Sequence, residues 1–501
     1  MKFMNPSAFR IVALSLVAAA AMALSTNSMA ANYSLELVSP RAAGTTPISG
    51  GPAIGAGNRI FKAYPGFEYN IRAVVVGGAY PYTFSLSGAP SGMTIEPRTG
   101  EIRWPNASGT TVTPTITITD SEGTVRSSPW TIAVTTAGFK FVDAANGSAS
   151  GTGAIGSPFR TISDLYNNTN SNSTDMVYFR AGTYNALNLP RASVGSPWER
   201  VEVEGRMSNI WIAYPGETPV IDFGFVPNAE PGVILRFQQT DAYIDGFETR
   251  NSRIIGFQVL VGNYGVFRRL RMRDHNLIRA NLDGSNASFI MCITGGGMYG
   301  EYLTIQDNDF GNAQDDMALK IYAQRKLLIE GNRFHDMHIA TELKADMPQF
   351  TYRGNTHSNI SFNAIAGNMH DTPTSGEINF NVVTSAGQFA VDVNQDGMAG
   401  KIDIYRNTLI GRILVRNTDA ADGPFNFYNN VIINNDPGTH IYLENVSAPT
   451  RVTTLNNLVG NVGSGVVDAN GTLTANYAQY VGSRGHQVGV VPRPPTGVTV
   501  Q

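Results

Sequence analysis

The sequence predicts an all-β protein in two parts, a small β-sandwich followed by a long solenoid of stacked coils. Composition is the first sign: only 15% of the 501 residues are charged, and 52 glycines and 26 prolines suit strands and turns better than helices. The second is that no long helical periodicity occurs after the first thirty residues. The third is a weak repeat of about 20–30 residues, an apolar-alternating run closed by a polar, usually Asn-containing bend, which cannot bury its apolar face alone.

The N-terminus carries Lys2 and Arg10, an apolar run over 11–24, and Ser28-Met29-Ala30 in the small-x-small form of a signal-peptidase site. Residues 1–30 therefore read as a signal peptide. The run is about 14 residues, short of the ~20 that span a bilayer, so no membrane span is expected after cleavage and the location is secreted or periplasmic. A net charge of −3, with no basic run of five or more, gives no reason to expect nucleic acid. Cys292 is the single cysteine, so no internal disulfide forms, and its apolar setting at 289–293 marks it as a small core residue.

Residues 33–136 alternate β-rich runs with turn signals: 69–76 before Gly77-Gly78, 82–86, and Thr115-Ile116-Thr117-Ile118-Thr119 before Asp120-Ser121-Glu122-Gly123. The stretch from Gly77 through Phe84, with Ala89-Pro90-Ser91-Gly92-Met93 and Thr99-Gly100-Glu101-Ile102, resembles immunoglobulin-like modules of bacterial extracellular proteins. The resemblance implies a spacer or a weak binding unit. Trp104 and Trp130 read as sandwich core, with stacking on sugar rings as the alternative.

A composition shift at Phe139-Lys140-Phe141-Val142-Asp143 leads into a Gly/Ser loop and then Ser157-Pro158-Phe159-Arg160-Thr161-Ile162. With 175–184 and 213–222, this segment resembles the entry of pectate-lyase-like proteins. That resemblance implies a right-handed parallel β-helix over 138–481, with a short helix capping its open end. Repeat units at 243–251, 303–310, 327–334, 402–410 and 425–434 continue it, their asparagines expected mostly to stack at bends, and 482–501 reads as a Pro-rich tail.

Strand alternation selects one outward face. In 317–324 Lys320, Tyr322 and Gln324 alternate with an apolar set, and in 338–346 His338, Glu342, Lys344 and Asp346 do. Lys320 to Glu342 and Tyr322 to Lys344 are both 22 positions, which predicts neighbours in adjacent coils. The next coil is expected to add Glu377, Asn379 and Asn381. Such a face suits β-elimination on an acidic polysaccharide, which needs charge neutralisation of the uronate carboxylate, a base for the C5 proton and an acid for the leaving oxygen.

The run 341–346, followed by Tyr352-Arg353-Gly354-Asn355, resembles the Glu-then-Lys strand and Asn bend of chondroitinase-B and alginate lyases. The resemblance implies a Lys base assisted by a following-coil Arg, with Glu and Asn on calcium; the next coil here supplies no arginine. The expected roles are Lys344 or Lys320 as base, Tyr322 or His338 as proton donor, Gln324, Asn379 and Asn381 on substrate, and Glu342 and Glu377 near Ca²⁺. A second Ca²⁺ expectation is 392–403, whose Asp392, Asn394, Asp396 and Asp403 match an EF-hand-like loop between strands.

Two further clusters stand apart. Asp315-Asp316, with Asp307 and Asp309 upstream, is similar to the strand entry of polygalacturonase-type hydrolases and admits glycoside hydrolysis. Arg268, Arg269, Arg271, Arg273 and His275 could grip uronate or sulfate groups, with Arg271 and Arg273 the expected contacts. The leading expectation is a monomeric lyase on an acidic glycan. A non-catalytic carbohydrate-binding or adhesion protein and a glycoside hydrolase are the alternatives.

Overall fold

The computed structural model describes residues 33–46, 52–168, 175–189, 192–193, 198–202, 208–224, 232–238, 241–252, 255–260, 263–274, 288–293, 299–345, 347–370, 375–396, 400–434 and 440–461. The expected leader, the tail 482–501, His275 and Asp346 lie outside the described residues. Among the described residues no helix is long and apolar enough to cross a membrane.

The N-terminal part is the expected sandwich. Thr115–Thr119 pairs antiparallel with both Thr83–Ser87 and Val125–Pro129, and Tyr69–Arg72 pairs with Glu101–Trp104. The TITIT alternation puts Ile116 and Ile118 in the core. Trp104 and Trp130 are buried there, their indole N–H groups donating to the Ser91 carbonyl at 3.1 Å and the Tyr69 hydroxyl at 3.3 Å. They are core residues, not sugar platforms.

From Phe139–Val142 onward the chain winds as a parallel β-helix with three strand-bearing faces. The first face is a sheet that passes through Met176–Phe179, Thr304–Gln306, Gln324–Glu330, Gln349–Arg353, Ser375–Asn379 and Ile402–Tyr405 to Val452–Leu455. The second and third faces are joined by strands long enough to cover both, Asp309–Tyr322 and Arg333–Lys344. The helix Ile162–Asn168 plugs the open end, as expected, burying Ile162 and Leu165 in the solenoid core. Its start is a reciprocal cap, in which Thr161 N–H donates to Asp164 Oδ2 and Asp164 N–H to Thr161 Oγ1, both at 3.0 Å.

The corner between the first and second faces keeps the coils in phase. Its two residues are Asp307-Asn308, Gly331-Asn332, Gly354-Asn355, Phe380-Asn381, Arg406-Asn407, Asn429-Asn430 and Asn456-Asn457. The first of each pair has a positive φ, between 50° and 68°. That left-handed residue turns the chain and aims the following asparagine inward. Each inward Oδ1 accepts the main-chain N–H and the Nδ2 of its counterpart one coil earlier, at 2.9–3.0 Å from Asn308 to Asn457. Each Nδ2 also donates to a first-face carbonyl such as Ile305 O or Tyr352 O. The ladder satisfies every corner internally.

The sandwich is not a spacer. It lies along the first face, where Tyr264, Tyr302, Leu328, Phe380, Tyr405 and Tyr428 join its own apolar core. Charged groups are sealed into the contact: Arg72 of the sandwich pairs with Asp307 and with Glu330 at 3.3 Å, Lys326 with Glu36 at 2.7 Å, and Arg353 with Glu330 at 2.7 Å. Arg353 further donates to the Tyr82 hydroxyl at 3.0 Å and the Val75 carbonyl at 2.8 Å. A buried ion pair is costly to break from one side, by about 3–5 kcal/mol, so these contacts fix the sandwich in one position.

Candidate functional site

The expected register holds. Lys320 lies beside Glu342 and Tyr322 beside Lys344 in adjacent coils of the third face. Glu342 takes both lysines: Oε2 is 3.3 Å from Lys320 Nζ and Oε1 is 3.9 Å from Lys344 Nζ. The two ammoniums lie 5.8 and 5.7 Å from the centre of the Tyr322 ring. The lysines differ in access, since the Lys320 side chain is 2% exposed and that of Lys344 28%. Lys320 is therefore a buried counter-ion for Glu342, and Lys344 is the one a polymer can touch. Burial, with the Glu342 charge second, pushes the Tyr322 phenol up to about 12, so it keeps its proton and can donate it.

The rows continue through residues that sequence reasoning missed. Beyond Lys344 come Asn368 and Asn394, and beyond Glu342 come Ala366 and Asp392. Asn394 Nδ2 donates to Asn368 Oδ1, and Asn417 Nδ2 to Asn394 Oδ1, both at 3.0 Å, forming an outward amide ladder. Arg416 stands in the row after Asn394 and grips Asp392 at 3.1 and 3.0 Å. The arginine sought one coil after Lys344 thus stands three coils on, ~14 Å at ~4.8 Å per strand. His338 sits at the margin of the face, its Nδ1 3.0 Å from Ser361 Oγ and its ring stacked on Phe362.

Other expected members are elsewhere. The strand after Lys344 supplies Ala366 and Asn368, not Glu377 and Asn379, which are buried on the first face under the sandwich. Asn379 Nδ2 donates there to the Tyr405 hydroxyl at 3.0 Å. Asn381 is a rung of the inward ladder and meets no solvent. Gln324 also fails to face outward. Ala323, at φ +45°, turns the corner, and the amide behind it is buried, with Nε2 3.0 Å from Cys292 Sγ.

The calcium sets do not assemble. Asp392 and Asn394 belong to the strand Phe389–Asp396 rather than a loop, whereas Asp403 is on the first face, held by Lys401 at 2.8 Å and by Asn426 at 2.7 Å. Glu342 is matched by lysines and Asp392 by Arg416; Asp396's side chain lies outside the described set. These donors do not fit one Ca²⁺, and among the described residues no three His, Cys, Asp or Glu side chains are grouped for a metal.

The carboxylate and arginine clusters also separate. Asp307 faces Arg72 under the sandwich, while Asp309 sits on the second face with Arg273 at 2.6 Å and His335 Nε2 at 2.9 Å. Burial works to raise the Asp309 pKa, but the hydrogen bonds from His335 and Arg273 outweigh it and hold it at about 2. His335, missed in the sequence, is held above its ordinary value by Asp309 first and Asp336 as well, the latter 2.6 Å from Nδ1. The side chains of Asp315 and Asp316 lie outside the described set. Arg268 is buried against Asn70 at 2.9 Å, Arg269 binds Asp245 at 2.6 Å, and Arg271 faces Glu248 at 3.7 Å. No single basic grip forms from these four. Cys292 is fully buried, and burial pushes its thiol far up, which makes it inert.

Comparison with known proteins covers the two parts unequally. A family model described as "Putative Ig domain" matches residues 57–135, which is the sandwich. No curated protein matches the chain. Among solved structures, pectate lyase Pel9A aligns at 16% identity and TM-score 0.41, over 67% of this chain and 82% of its own. A rhamnogalacturonan lyase aligns at 14% and 0.42, over 69% and 99%, and a family 28 exopolygalacturonase of Yersinia enterocolitica at 11% and 0.38, over 82% and 98%. At these values the likenesses carry no argument about the site.

Proposed function

We propose that this is a secreted polysaccharide lyase that cleaves an acidic, uronate-containing glycan by β-elimination along the third face. One observation carries the reading: an accessible lysine, Lys344, and a protonated phenol, Tyr322, are register neighbours in the outward row next to the Lys320–Glu342 pair. A lysine accepts a proton only when its pKa is depressed, and a polymer lying over the face would desolvate Lys344. Its amine would take the C5 proton, the C5–H electrons would form the C4=C5 double bond, and the C4–O bond would break. The leaving oxygen would take the Tyr322 proton. Asn368, whose Oδ1 is occupied by Asn394, has its NH₂ group to offer the uronate carboxylate in the adjacent row. The strand spacing of ~4.8 Å gives an extended chain successive polar contacts at Lys344, Asn368 and Asn394.

The test is incubation with a panel of uronate polymers, following the ultraviolet absorbance of unsaturated ends. Lys344→Met and Tyr322→Phe should each lower kcat at least 10²-fold with little change in folding. Chain shortening without the absorbance would establish hydrolysis instead. Binding without shortening would leave a carbohydrate-binding protein and overturn the enzymatic reading.

A further inference from the structure

One carboxylate on the third face answers two cations. Glu342 turns Oε2 to Lys320 at 3.3 Å and Oε1 to Lys344 at 3.9 Å, and among the described residues these lysines are its ion partners. The following coil adds no charge here, since it sets Ala366 beside Glu342 and Asn368 beside Lys344. Asp392, one coil further along the Glu342 row, is taken by Arg416 at 3.0 Å. The coil before supplies Lys320 and the neutral Tyr322 phenol. Among the described residues, the charges that face Lys344 are therefore Glu342, from its own strand, and Lys320.

The two contacts of Glu342 differ in kind. A Lys320 side chain only 2% exposed is kept charged by its partner, so that contact is fixed, whereas Lys344 at 28% can be released to a substrate. With Lys320 in place, loss of the Lys344 proton leaves a matched pair behind. Without Lys320, the same loss would leave the Glu342 carboxylate, 16% exposed, facing no cation, and the proton would be held harder. The field of Glu342 does reach across this face, because its charge adds to burial in pushing up the Tyr322 phenol.

We infer that Lys320 is a positioning residue for the base: by holding Glu342 from the buried side, it stops that carboxylate from locking a proton on Lys344. Lys320 moves no proton itself. It sets the pH at which the accessible lysine becomes an amine. That role presupposes the third-face lyase proposed above, whereas the charge of Lys344 can be followed without any substrate.

Trace acetylation of the full chain between about pH 7 and about pH 11, with the Lys344 peptide quantified by mass spectrometry, gives the midpoint at which its amine appears. Lys320→Met should raise that midpoint by about one pH unit or more. Glu342→Gln, close in shape and so the safer variant for folding, should lower it, because two like charges then face each other. The double variant should return toward the wild type. A merely structural role for Lys320 would not give shifts of opposite sign. In a cleaving enzyme the acid limb of kcat/KM should move in the same directions. No cleavage of any uronate polymer would sink the lyase reading, while the labelling still decided whether Lys320 and Glu342 set the charge of Lys344. A midpoint unmoved in both single variants, or moved in the same direction, would overturn the inference.

Discussion

His357 makes the solenoid core a titrating element, and the effect can be worked from its contacts. The imidazole is 1% exposed and stacks on Phe334, which stacks on Phe310 in the coil before. Its Nδ1 lies 3.2 Å from the Val382 carbonyl, an acceptor, so the ring proton sits there and Nε2 accepts from the Tyr352 hydroxyl at 2.7 Å. Burial therefore pulls the pKa down to about 4 from the usual 6.5. The unfolded chain binds the proton first as pH falls, so the contribution is intact above about 6.5 and is lost between there and about 4. At about 1.4 kcal/mol per pH unit the full loss is ~3 kcal/mol, with about 2 of it reached by pH 5.

His357→Phe keeps the stack but removes the titration. At pH 7 it should be less stable than the wild type by ~1–2 kcal/mol, for the two lost hydrogen bonds. By pH 5 the difference should vanish or reverse. Urea unfolding of both proteins at pH 7, 6 and 5 measures it, and all other titrating groups are common to the pair. Parallel losses of stability in the two proteins would refute the buried, neutral imidazole.

Three other predictions concern the same architecture. Asn381→Ala removes an acceptor of two buried hydrogen bonds and a donor of two, and should cost ~3 kcal/mol in urea unfolding while leaving sugar binding on the third face unchanged. Arg353→Met leaves Glu330 with Arg72 alone as its cationic partner and removes the bonds to Tyr82 and Val75; it should cost about 3 kcal/mol, with first-face amides exchanging faster in hydrogen–deuterium measurements. Asp309 and Asp336 hold His335 above its ordinary value, so its stabilisation is complete below about 6.5 and is lost as pH rises through the folded value; His335→Gln should lack that decline in denaturation midpoint above about pH 6.5.

What the sequence revealed follows from where coil length is constant. Lys320 and Glu342 were legible as neighbours because they share one 22-residue offset with Tyr322 and Lys344, and apolar alternation marked which side chains faced out. Asn368 and Arg416 were not, because the offset along their row changes from coil to coil: Tyr322 to Lys344 is 22 residues, Lys344 to Asn368 is 24 and Asn368 to Asn394 is 26. Glu377 and Asn379 did alternate outward from their strand. Nothing local in those residues says that the sandwich docks there and turns outward into buried. Asn381 was separable in principle, since it follows a left-handed corner residue as the other rungs do, but a phenylalanine in that position gives no turn signal.

The first corner has consequences for how such a chain can diversify. Successive rungs of its ladder are 24, 23, 26, 26, 23 and 27 residues apart, yet the corner itself always takes two. All variation in coil length is thus displaced to the other two corners, and those are the margins of the third face. Insertions there can raise or lower the walls of a groove without shifting the phase of any coil. The ladder works as a metronome: it holds the beat on one edge, so that the opposite side of the molecule is free to change its contours.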